Sequence, residues 1–268
     1  MAYAFTDYNG AETLFRGRGE PAKRWRELAA VLDSLPVYLQ GSDQDRKVGT
    51  PIFDPKATNA HLTVASKAVG WCPIAVPPAL TMFGDDWDAG KGSVLAEWQF
   101  SNYPFLWNNI IRTEAVFQGK VALEGMSPVA GLVVVTKSGM FPSSNSTLYY
   151  EQAAAQINAV STLRAFQVPI RLVGITLAIE CVEVDAVWTK YPGRYARQKG
   201  IVTNALFSVT WGKAGKYGGQ PARLLRKELP AQPNKVGASG TALRTRPPLK
   251  SSSGRSFPRK SAAKQASS

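Results

Sequence analysis

Ser93-Val94-Leu95-Ala96-Glu97-Trp98-Gln99-Phe100, then residues 105–117, then Gly131-Leu132-Val133-Val134-Val135-Thr136 form the stretch that decides the fold. The first segment sets Val94, Ala96, Trp98 and Phe100 against Leu95, Glu97 and Gln99, the period-two pattern of a strand. Pro104 suits the first turn of a helix, and Leu106, Ile110 and Phe117, with Trp107 and Ile111, offer apolar surface to a sheet. The third segment is an unbroken, largely β-branched run, as expected of a strand buried on both faces. Strand, helix, strand in this order reads as a parallel crossover. The expected fold class is α/β, a central mixed β-sheet flanked by helices.

Working outward, Trp25, Leu28, Ala29 and Leu32 recur at helical spacing within residues 20–32, with Lys23, Arg24, Arg26 and Glu27 between them. Asp54-Pro55 opens a second helix over residues 57–69, closed by Gly70. Pro73, Pro77 and Pro78 make residues 72–82 extended or irregular. Residues 141–146 form a polar loop before an Ala-rich helix at 149–160. Residues 170–187 suffice for one long strand or two, 191–199 form a basic, aromatic loop, and 201–211 make a last strand.

The 268 residues are 44% hydrophobic and 19% charged, ordinary globular composition with enough length for a sizeable core. The net charge is +13, unevenly distributed. Residues 229–268 carry eight Lys and Arg and no Asp or Glu, leaving +5 on residues 1–228. We therefore expect one domain over 1–228 and a basic, disordered tail over 229–268. A surplus of cations makes a polyanion the leading class of partner. No window is apolar and long enough for a membrane span and the start has no secretory pattern, so a cytoplasmic protein is expected. Cys72, Cys181 and His61 are the only residues of their kinds, which excludes a Cys/His zinc site and a four-cysteine iron–sulfur centre.

Chemistry concentrates between Asp85 and Asn102. Asp85, Asp86 and Asp88 precede the strand, while Glu97 and Gln99, two apart, share one face of it. Carboxylates and an amide oxygen converging at a strand end are hard ligands suited to Mg²⁺. Such an ion can activate water against a phosphodiester without any His or Cys. The bland reading places the aspartates in a solvated turn. It is weakened because the strand around Glu97 is apolar and the acidic cluster lies in a basic chain. Arg194, Tyr195, Arg197 and Lys199 supply cations that can meet phosphates or guanines.

The run from Asp88 through Glu97-Trp98-Gln99-Phe100-Ser101-Asn102-Tyr103-Pro104-Phe105 resembles the active-site segment of the BglII/BstYI-like type II restriction endonucleases. These are a branch of the PD-(D/E)xK nucleases in which Gln replaces the usual Lys. Phe141-Pro142-Ser143-Ser144-Asn145, leading to Tyr149-Tyr150-Glu151, is similar to that family's serine loop. The resemblance covers roughly residues 20–155. It implies a PD-(D/E)xK core and a homodimer gripping double-stranded DNA, with one active site per subunit. Asp88 and Glu97 would bind Mg²⁺ together with the Trp98 carbonyl, with Asp86 as a rival to Asp88, and Gln99 would complete the catalytic set. Lys91 falls where the family places a basic residue. Ser101 and Asn102 would contact the outer base pairs, and Ser143, Ser144 and Asn145 the inner ones. The implied site is a short palindrome with a GATC centre, protected in the host by a companion methyltransferase. Asn59 and His61 sit on a helix that approaches the active site in relatives. The competing reading is a noncatalytic nucleic-acid-binding or packaging protein whose tail neutralises phosphates.

Overall fold

The structure, a computed structural model, describes residues 1–143, 148–192 and 200–227. In chain order they form β1 (Ala2–Tyr8), α1 (Ala11–Arg16), α2 (Glu20–Asp33), β2 (Val37–Gly41), β3 (Pro51–Phe53), α3 (Pro55–Ala68), β4 (Cys72–Ala75), a 3₁₀ helix (Pro78–Phe83), β5 (Asp86–Lys91) and β6 (Val94–Trp98). There follow α4 (Tyr103–Gln118), β7 (Gly131–Lys137), α5 (Tyr150–Ser161), β8 (Ile170–Thr176), β9 (Glu183–Lys190), β10 (Ile201–Trp211) and β11 (Ala222–Arg226). The expected crossover is present: β6, α4 and β7 follow one another, and β6 pairs parallel with β7 from Val94↔Gly131 to Trp98↔Val135.

The main sheet has the order β1-β8-β7-β6-β5-β4. Its centre, β6, β7 and β8, is parallel, and β1, β5 and β4 run antiparallel to their neighbours. The alternation of β6 sorts its side chains as the pattern requires. Val94, Ala96, Trp98 and Phe100 join a core with Phe15 of α1, Trp25 and Leu28 of α2, and Leu39 and Phe207 of a second sheet. Leu95 joins the opposite core, built from Leu106 and Ile110 of α4 and Ala153 and Ile157 of α5. The parallel centre is thus covered on both faces, and all seven residues of β7 are buried.

Three features go beyond the sequence reading. A second sheet, β11-β10-β9-β2-β3, packs against the α1–α2 side. The β-rich run at 170–187 divides into β8 and β9, which belong to different sheets. Asp86 and Asp88 lie not in a turn but on β5, where Trp87 and Ala89 are 0% and 1% exposed, Trp87 packing into the α4 core and Ala89 into the opposite one. Asp, Ala and Gly have low strand propensity, which hides β5 until its partner β6 is in place. Among the described residues no helix is long and apolar enough to cross a membrane.

Candidate active site

The β5–β6 hairpin builds the site. Its ladder runs from Lys91↔Val94 to Ala89↔Ala96 and stops there, across a two-residue turn where Gly92 takes φ 62°. Beyond the last pair, Asp88 and Glu97 come side by side, close enough for each carboxyl group to perturb the other. Gln99 N–H donates to the Val135 carbonyl at 2.8 Å, so Trp98 turns its backbone to the other edge of β6. There the Trp98 N–H donates to Asp88 Oδ2 at 2.7 Å. The Trp98 carbonyl, on the same residue, lies along that edge too. Two carboxylates and one carbonyl are thereby gathered from two strands at the sheet's end.

The electrostatics are those of a crowded anionic pocket. Burial raises the Asp88 carboxyl above its ordinary range, and nearby Asp86 adds to this, while the Trp98 N–H and Arg112 pull it back. Burial pushes Glu97, 4% exposed, well above the usual carboxylate range, against the attraction of Arg112 and with Asp88 raising it further. A divalent cation would relieve this repulsion, and hard oxygens are the donors Mg²⁺ prefers. Asp88, Glu97 and the Trp98 carbonyl therefore fit such an ion. Asp86 is exposed one turn of the pleat away and takes no part in the Asp88–Glu97 contact. Among the described residues no group of three or more His, Cys, Asp or Glu side chains could hold a metal.

Helix α4 supplies the residues that sequence reasoning missed. Asn109, Arg112 and Thr113, at positions i, i+3 and i+4, are 5%, 3% and 0% exposed and form a polar stripe facing the hairpin. Arg112 pairs with Glu97 through Nη2, donates from Nη1 to the Phe83 carbonyl at 3.3 Å, and lies 4.9 Å from the Trp87 ring centroid. Gly84, at φ 126°, leaves the space that the Arg112 guanidinium fills. Thr113 Oγ1 accepts from Trp87 Nε1 at 2.9 Å, and Asn109 Nδ2 donates to Gln99 Oε1 at 3.0 Å. The apolar spacing of α4 masks this stripe in the sequence. Ile111, expected to be buried, is 43% exposed, because the polar residues hold the inner positions.

Several sequence candidates fall elsewhere. Lys91 bonds Glu27 Oε2 at 2.8 Å and the Val69 carbonyl at 2.6 Å, which ties β5 to α2 and α3 rather than serving the site. His61 Nδ1 meets the Tyr38 hydroxyl at 2.9 Å on the α3–β2 side. Asn59 does line the cleft beside Asp88, Glu97 and Gln99.

The family model for restriction endonuclease BglII/BglIII matches residues 3–175. The chain belongs to the BglII/BglIII restriction endonuclease family. The type II restriction enzyme BglII of Bacillus subtilis is 39% identical over 201 residues, 74% of this chain and 86% of that relative. The crystal structure of BglII complexed with a DNA 16-mer superposes with a TM-score of 0.76 at 34% identity, over 85% of this chain and 100% of that one. Free BglII, at 31% identity and the same coverage of both chains, gives 0.62. This chain is thus closer in shape to the DNA-complexed relative than to the free one.

In this BglII-family chain the hairpin opens into a cleft of about 1160 Å³. Ser101, Asn102 and Ser143 lie on its walls with Asp88, Glu97 and Gln99. Ser101 Oγ accepts from Gln99 Nε2 at 2.5 Å, Asn102 sits at the N-terminal cap position of α4, and Ser143 Oγ meets the Tyr149 hydroxyl at 2.7 Å. Ser144, Asn145, Arg194, Arg197 and Lys199 lie outside the described residues. The segment after the serine loop is held from two sides, since Leu148 N–H donates to the Ser101 carbonyl at 3.2 Å and Lys137 Nζ donates to the Leu148 carbonyl at 2.8 Å. Tyr191, at the start of the basic loop, donates from its hydroxyl to Asp54 Oδ2 at 2.9 Å.

Lys137 is fully buried, and burial lowers its ammonium from 10.5 to about 7. The unfolded chain therefore holds a proton that the folded one releases between pH 7 and 10.5. The destabilisation from Lys137 is full below pH 7 and fades as pH rises through that window. Replacing Lys137 by Met should raise stability by about 1–3 kcal/mol near pH 6, after allowing for the lost bond to Leu148, with the gain shrinking toward pH 10. Thermal denaturation at both pH values checks this. An advantage that grows with pH would reverse the assignment.

Proposed function

We propose that the protein is a Mg²⁺-dependent, sequence-specific endonuclease that hydrolyses phosphodiester bonds of double-stranded DNA at a short palindrome, with a GATC centre. The observation that carries the reading is the convergence of Asp88, Glu97 and the Trp98 carbonyl at the end of the hairpin, with Gln99 two residues on. Asp88, Glu97 and the Trp98 carbonyl would hold the cation, which supplies water activation and stabilisation of charge on the phosphate. Gln99 cannot accept a proton, so its part is to donate a hydrogen bond to the phosphate or the attacking water. Ser101, Asn102, Ser143, Ser144 and Asn145 are the side chains proposed to read base edges, where an amide or hydroxyl can both donate and accept. Arg194, Arg197 and Lys199 would meet the backbone or guanines. A palindrome calls for two symmetric copies, so the acting form is a homodimer cutting one strand per subunit. Such a nuclease works in the cytoplasm beside a methyltransferase of the same specificity.

Incubating the protein with long DNA of known sequence and Mg²⁺, beside a Glu97→Ala control, and sequencing the fragment ends tests the reading. Discrete fragments that share one palindrome and are absent from the control are expected. Uncut DNA that still shifts in a gel would replace this reading by the noncatalytic binding protein.

A further inference from the structure

We infer that Asn109 is a positioning residue that ties the orientation of the Gln99 amide, and so the half that faces the cleft, to its own. The inference rests on the nuclease reading for its consequence, though not for its geometry. Where a lysine would stand, an ammonium offers only donors and has no wrong orientation. A glutamine head is two-sided: its NH2 attracts a phosphate oxygen and its carbonyl oxygen repels one. A glutamine in this position therefore needs a partner that distinguishes the two ends.

Two described side chains touch the Gln99 amide. Gln99 Nε2 donates to Ser101 Oγ at 2.5 Å, and Gln99 Oε1 accepts from Asn109 Nδ2 at 3.0 Å. The Ser101 hydroxyl can donate or accept, so it tolerates either end of the amide. Asn109 presents a donor, and turning Gln99 alone would set NH2 against NH2. Both amides are buried, at 7% and 5% exposure, where a mismatched polar contact costs about 1–3 kcal/mol. Asn109 is itself placed by α4, in the same stripe that brings Arg112 to Glu97 and Thr113 to Trp87. The helix thus holds both an amide against Gln99 and a guanidinium against Glu97; because the Asn109 amide is two-sided as well, the two amides can turn only as a pair.

Asn109→Asp, assayed near pH 9 so that the buried carboxyl ionises, provides the test, because a carboxylate has no donor and draws Gln99 Nε2 toward itself, leaving Oε1 toward the cleft. Single-turnover cleavage should fall on the order of 100-fold, the effect of losing one aimed hydrogen-bond donor. DNA affinity in EDTA should stay within about threefold, and Asn109→Ala, which removes the partner without reversing the amide, should cost no more than about tenfold. In a Gln99→Lys background the Asp substitution should cost less than threefold, since an ammonium has no orientation to lose. Equal losses from Asn109→Asp in both backgrounds would show packing damage and overturn the inference. Should Gln99→Lys itself be inactive, side-chain amide NMR decides. The Gln99 NH2 protons should show contacts to the Ser101 β-protons in the parent and to the residue 109 β-protons in Asn109→Asp. An unchanged contact pattern overturns the inference. A parent that cuts no DNA would sink the nuclease reading while the NMR result still stands on its own.

Discussion

Glu97→Gln should reduce cleavage at least about 1,000-fold, equivalent to about 4 kcal/mol of transition-state stabilisation, while leaving DNA binding and the fold intact. The amide keeps the size of the carboxylate and can still accept from Arg112, but it halves the charge available to a divalent ion. The effect on stability follows from the balance at the site. Burial and Asp88 already push Glu97 well above its ordinary pKa, so its charged form destabilises the cation-free protein despite Arg112. For a carboxylate shifted upward, that destabilisation is absent at low pH and grows as pH rises through its unfolded value. In EDTA at pH 8, Glu97→Gln should therefore melt at or above the parent's temperature, with the difference shrinking toward pH 4. Glu97→Ala should melt lower, because Arg112 would then be buried without its acceptor. A Glu97→Gln protein that cuts at the parent rate would remove Glu97 from the mechanism. One that unfolds in EDTA would show that the pair with Arg112 outweighs the crowding.

Removing residues 230–268 should change DNA binding through its dependence on salt rather than through the chemistry. The eight cations beyond residue 228 face no acidic residue in the same segment. If each neutralises one phosphate, the plot of log affinity against log salt loses up to about 7 units of slope. Affinity for DNA lacking the recognition site should fall on the order of 1,000-fold at low salt, and hardly at all at high salt. The cleavage site and the single-turnover rate on bound DNA should be unchanged, because the hairpin and α4 lie in residues 86–118. Titrations at several salt concentrations, with and without the segment, measure the two slopes directly. Parallel slopes would mean that these residues do not touch the phosphate backbone. The BglII structures are matched along their whole length by 85% of this chain.

The central crossover was legible because its signals are local. Alternation in β6, the proline-started helix and the all-buried run of β7 each follow from short-range periodicity and burial. Glu97 and Gln99 were legible for the same reason, since residues two apart on a strand must share a face. Asp88 was found by its place in a motif, although its strand was not. The excess of cations, and the exclusion of zinc and iron–sulfur chemistry, needed only a count of residues.

What the tertiary structure decided is everything that depends on two segments meeting. β5 is a strand because β4 and β6 offer it ladders, and the end of the β6 ladder is what sets Asp88 against Glu97. Lys91 leaves the site because Glu27 on α2 and the Val69 carbonyl reach it first. Asn109, Arg112 and Thr113 look like the polar side of an ordinary amphipathic helix, and sequence spacing cannot tell a solvated stripe from one turned onto buried carboxylates. Helical periodicity specifies which residues share a face. The packing partner alone decides whether that face meets water or Glu97 and Gln99.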